Sequence, residues 1–168
     1  MKDIILEKLG SRLVKFESKP FDELLQEKTK KYLYEIGFPC GSSIGAIELD
    51  LNGELILLPE NRIQINSSTE DGLIFYIDPE KNDALYYYSH YWKRSFFVNS
   101  SLENYVYCLY ELESFHENIY SERVFGETDE DGISEKYAHY LEERFKAIEE
   151  NLAYWGGEVE DIESGLRL

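Results

Sequence analysis

The chain has 168 residues, 43% of them hydrophobic and 15% aromatic, enough apolar material to exclude a disordered, charge-rich tail. Thirty-four Asp and Glu against 17 Lys and Arg leave a formal charge of −17. Such a surface repels phosphates, which disfavours direct nucleic-acid binding and favours a basic protein partner.

The length suits one domain, with residues 1–168 as a single unit. Glu7, Lys8 and Arg12 interrupt the N-terminal apolar residues, so no signal-peptide core is expected. No stretch approaches the ~18 uninterrupted apolar residues of a membrane span, so no membrane partner is expected. Cys40 and Cys108 read as free thiols in a reducing cytoplasm. The acids are uneven: residues 1–110 hold 17 acids and 12 bases, residues 111–168 hold 17 acids and 5 bases.

Leu6, Leu9, Leu13 and Phe16 predict a first helix over residues 1–16. A second is predicted from Phe21 to Ile36, opened by Pro20 and stopped by Gly37 and Pro39. Its apolar stripe is Phe21, Leu25, Leu33 and Ile36. Ala46 to Leu51 alternates as a strand, Asn52-Gly53 is a hairpin turn, and Glu54 to Leu58 returns. Leu73 to Ile77 and Ala84 to Ser89 form a second hairpin around Asp78 to Asp83, and Ser95 to Val98 adds a strand. Ser100-Ser101-Leu102-Glu103 matches a capping box before a helix carrying Leu102, Tyr105, Leu109 and Leu112. A long helix is predicted from Ile133 to about Leu152, with Glu135, Glu142, Glu143, Glu149 and Glu150 on its polar face. The order predicts an α+β fold: a mostly antiparallel sheet of about five or six strands with helices before and after it.

Catalytic signals are weak. His90, His116 and His139 show no metal-ligand spacing with one another or with Cys. Neither cysteine has a neighbouring base in sequence. Glu127 to Gly132 resembles the start of a calcium loop, but Ala138 stands where a bidentate Glu is required. No catalytic residue, metal or cofactor is expected.

The feature that stands out is the aromatic run Tyr86, Tyr87, Tyr88, His90, Tyr91 and Trp92. On a strand, Tyr86 and Tyr88 face one way and Leu85 and Tyr87 the other, so not every ring can enter a one-sided core. Plain β-propensity explains some of this run. Tyr and Trp are also typical interface anchors. The candidate partner-binding set is therefore Tyr86, Tyr88, Tyr91 and Trp92 as anchors. Asp129, Glu130, Asp131, Glu142 and Glu143 supply steering charge.

Two segments carry a family resemblance. Tyr32-Leu33-Tyr34-Glu35-Ile36-Gly37-Phe38-Pro39 resembles the L-x-x-I-G-L-P helix end of the SUKH superfamily, nearest its fourth family. Phe97 to Val106 resembles that family's V-N-S-S-L-x-x-F strand-to-helix passage, and the stretch from Leu141 to Trp155 is similar to its C-terminal helix and Trp. The resemblance implies a SUKH-like α+β fold. It also implies a cytoplasmic immunity protein that binds and neutralises a cognate toxin, commonly a nuclease, with no shared catalytic residues. Some relatives are regulatory or scaffold adaptors instead, and that reading stays open.

Overall fold

The computed structural model describes residues 7–40, 53–66, 73–119 and 133–164, without the side chains of 118, 119 and 133. The fold is α+β, with helices before and after a five-stranded antiparallel sheet and a separate two-stranded one. The large sheet is a meander in the order β3 (Ile56–Leu57), β4 (Ile63–Gln64), β5 (Leu73–Asp78), β6 (Ala84–Ser89), β7 (Arg94–Asn99). Cross-strand partners such as Ile63 and Ile77, Ile77 and Leu85, and Phe75 and Tyr87 share one face. That face meets the helices.

The β5–β6 connection shows why this hairpin forms. Pro79 opens a single 3₁₀ turn, Asn82 and Asp83 adopt positive φ of 57° and 60°, and the Asp83 N–H donates to the Asp78 carbonyl. Asn and Asp tolerate that left-handed region best among residues with a Cβ.

Helix α1 (Glu27–Lys30) runs on as a π-helix, Lys31–Ile36. The predicted helix from Phe21 to Ile36 is therefore broken. Pro20–Leu24 is a 3₁₀ turn, and Leu25 and Gln26 are extended, with the Gln26 N–H donating to the buried Asp83 carboxylate at 2.7 Å. The helix predicted over residues 1–16 also stops early. After the 3₁₀ turn Gly10–Arg12 the chain enters β1 (Leu13–Val14), which pairs with β2 (Phe38–Pro39). Gly37 makes that return possible: its φ is +100°, and a Cβ there would lie 2.9 Å from Leu13 Cβ. The strand predicted over Ala46 to Leu51 and the turn at Asn52 lie outside the described residues.

Helices α2 (Leu102–Ile119), α3 (Ile133–Lys146) and α4 (Gly156–Glu163) complete the core. Leu102, Tyr105 and Leu109 of α2, Leu141 and Phe145 of α3, and Trp155 are all buried with Phe75, Ile77, Leu85 and Val98 of the sheet. Trp155 packs at 5.2 Å from the Phe145 ring and 5.6 Å from Tyr105. The predicted C-terminal helix ends at Lys146, not Leu152. Glu149 is turned inward, so it does not belong to the polar face assigned to it.

Candidate interaction surface

Strand β6 divides the aromatic run by its own alternation. Leu85 and Tyr87 point to the helices. Tyr87 stacks on Phe96 at 4.9 Å, tilts against Phe75 and meets Tyr154 edge-on. Tyr86 and Tyr88 point to the opposite face. Tyr86 stacks on Tyr76 at 5.7 Å, meets Phe97 edge-on, and has the Lys81 ammonium 4.6 Å from its ring centroid. Tyr88 borders a hollow of about 400 Å³ with Ile74, Tyr76, Arg62 and His90. Both rings are half-buried within an aromatic layer that the sheet itself builds.

Tyr91 and Trp92 differ. They occupy the β6–β7 turn, 80% and 64% exposed, with their rings perpendicular at 4.9 Å. The Trp92 N–H donates to Ser89 Oγ, and Lys93 takes φ +50° to close the turn. Neither ring belongs to the buried core cluster. Of the four aromatic anchors expected from the sequence, two are packed in the open face and two project from it.

The acids lie elsewhere. Glu142 and Glu143 sit on α3, on the helical side of the sheet. Glu142 pairs with Lys146 at 2.8 Å and lines a cleft of about 440 Å³ between α3 and α4. Glu135, Glu160 and Glu163 rim the same cleft, over a floor of Ala138, Leu152 and Val159. The sheet thus stands between the aromatic face and the acidic cleft, and they do not form one continuous surface. Asp129, Glu130 and Asp131 lie outside the described residues, as does the calcium-like loop.

On the open face Arg62 lies over Tyr76 (5.2 Å) and Lys81 over Tyr86, and on the helix-facing side Arg94 lies over Phe96 (4.5 Å). Cation–π pairing holds those bases against the rings. The sequence reading missed these bases; their interleaving with aromatics on adjacent strands was the available signal.

Burial pushes the Cys108 thiol up to about 12, overriding the hydrogen bond from Asn99. His90 and His139 are exposed. Among the described residues no three His, Cys, Asp or Glu stand close enough to share a metal ion. Nor, among those residues, is any helix long and apolar enough to cross a membrane. Comparison of the chain with protein-family models, curated proteins and solved structures finds no match.

Proposed function

We propose that the chain is a non-enzymatic binding protein of the cytoplasm, an immunity protein that neutralises a cognate basic toxin by covering its positive site. The observation that carries this reading is the α3–α4 cleft. Four carboxylates rim an apolar floor, a setting in which Lys or Arg stems can lie on Leu152 and Val159 while their charged heads meet Glu135, Glu142, Glu160 or Glu163. The charge of −17 supports it by steering a basic partner inward. The SUKH-like segments Tyr32 to Pro39 and Phe97 to Val106 support it as a resemblance. A nuclease presents positive charge to its substrate, so its inhibitor gains from acidity.

The test is co-expression with any toxin-like protein encoded beside this gene, together with a pull-down from producing cells. Rescue of growth and recovery of that protein support the reading. Recovery of an endogenous non-toxic protein would move the assignment to a regulatory or scaffold adaptor. No rescue and no recovered partner would overturn both.

A further inference from the structure

The projecting β6–β7 hairpin lies apart from the acidic cleft and calls for its own account. Strand β7 forms one edge of the sheet: β6 lies on one side, and among the described residues no strand lies along the other. Edge strands usually carry a proline, an inward charge or a covering element against unwanted pairing. Strand β7 has no proline and no acid. Its one charge, Arg94, is laid over the Phe96 ring rather than across the edge. Arg94 and Ser95 are exposed, and Phe96 and Phe97 are half-buried, so the first four residues of the edge are within reach.

Charge then selects the occupant. Residues 84–102 form the longest stretch of the chain without Asp or Glu. They comprise β6, the turn and β7, with Lys93 and Arg94 as the charges. Two copies of a −17 chain repel each other almost everywhere. Along this hairpin the chain sets no acid of its own against its copy, and Glu60, which lines the hollow beside Ser95, is paired with Arg62.

We propose that the outer edge of β7 pairs antiparallel with the same edge of a second copy, joining two sheets into one. Such a contact is isologous, because a two-fold axis normal to the sheet makes each edge its own complement. Tyr91 and Trp92 lie at the start of the paired edge and cover its end, which accounts for two large exposed rings on one turn. The acidic clefts of both copies stay open. This proposal is independent of the toxin-binding reading and stands or falls separately.

The salt dependence is diagnostic. The seam itself is uncharged apart from bases, while the rest of each copy repels the other through the long-range field. Screening therefore tightens the dimer, whereas it weakens capture of a basic partner.

The experiment is sedimentation of the full chain over a concentration series at low and high salt. It is combined with hydrogen exchange of those amides between Arg94 and Phe97 that point away from β6. A reversible dimer is expected, tighter at high salt, with those amides protected as concentration rises. The double substitution Tyr91→Asp with Trp92→Asp places acids at the seam without touching the core and should weaken dimerisation at least about tenfold, with an unchanged melting temperature at concentrations where both proteins are monomeric. A monomer under all conditions, a dimer loosened by salt, or protection confined to other amides would overturn the proposal. So would protection of these amides only when a different protein is added, which would assign the edge to that partner.

Discussion

The Trp155 indole N–H donates to Asn99 Oδ1 at 2.9 Å, tying the last residue of β7 to the start of α4. Both residues are fully buried. Asn99 Nδ2 in turn reaches Glu149 at 3.3 Å and Cys108 Sγ at 3.8 Å. One side chain thus links the sheet, α2 and the C-terminal segment. Asn99→Leu strands the indole N–H in a dry site, and stability in urea should fall by about 1–3 kcal/mol.

Glu149 is the second member of that cluster. Burial alone would raise its pKa. The hydrogen bonds from the Ser100 N–H and Oγ, the Asn151 N–H and the Asn99 amide outweigh this and hold it below 4.5. A depressed carboxylate contributes stability above its unfolded pKa and loses it as pH falls through the folded value. The wild-type chain should therefore lose stability as the medium is acidified below the ordinary glutamate range. Glu149→Gln should be less stable at neutral pH and show a flatter acid limb. Urea midpoints across an acid pH series check this, and identical slopes for the two proteins would refute it.

Glu113 is fully buried on α2 and takes both arms of the Arg12 guanidinium. Arg12→Ala takes both guanidinium hydrogen bonds away from a buried carboxylate. The cost should approach, without reaching, the about 3–5 kcal/mol of a broken buried pair, because Arg12 is itself partly exposed. Replacing both residues, Arg12→Met with Glu113→Leu, should be less harmful than Arg12→Ala alone. Equilibrium unfolding of the three variants decides it.

Neighbouring aromatics in the same hairpin should behave in opposite ways. Tyr87→Ala removes contacts with Phe75, Phe96 and Tyr154, and should cost about 2–3 kcal/mol. Trp92→Ala, in the exposed turn, should change stability by no more than about 0.5 kcal/mol. Melts of the two variants make the comparison, and equal losses would show that Trp92 is a packing residue.

If the acidic helical side steers a basic partner, Glu142→Lys with Glu143→Lys should slow association at low salt and leave dissociation largely unchanged. High salt should erase the difference between variant and wild type. Stopped-flow association across a salt series measures both effects. An on-rate indifferent to salt would remove the electrostatic part of the proposed function.

The capping box shows where local reading stops. Ser101 Oγ does accept the Asn104 N–H at 3.1 Å, as a Ser before a helix should. The Glu103 carboxylate takes the Tyr32 hydroxyl and pairs with Lys28, and the Ser100 N–H goes to Glu149. A carboxylate at the helix start was legible; which carboxylate serves it depends on a segment far away in the chain.

The strands and turns from Leu73 to Asn99 can be read locally, because alternation and turn chemistry act between residues close in the chain. The helical stripes of α2 and α3, the acidity and the split of the tyrosines between two faces are equally local. The rest depends on residues far apart in the chain meeting in the fold. Strand β2 exists because Leu13 and Val14 arrive to pair with it, and β4, with two residues, is too short to show a period. Glu149 looked like a solvated helix acid until Ser100 and Asn99 turned it inward. The aromatic anchors and the acids looked like one surface because they share a chain. The sheet parts them, since each strand sends alternate side chains to opposite faces and the helices cover only one.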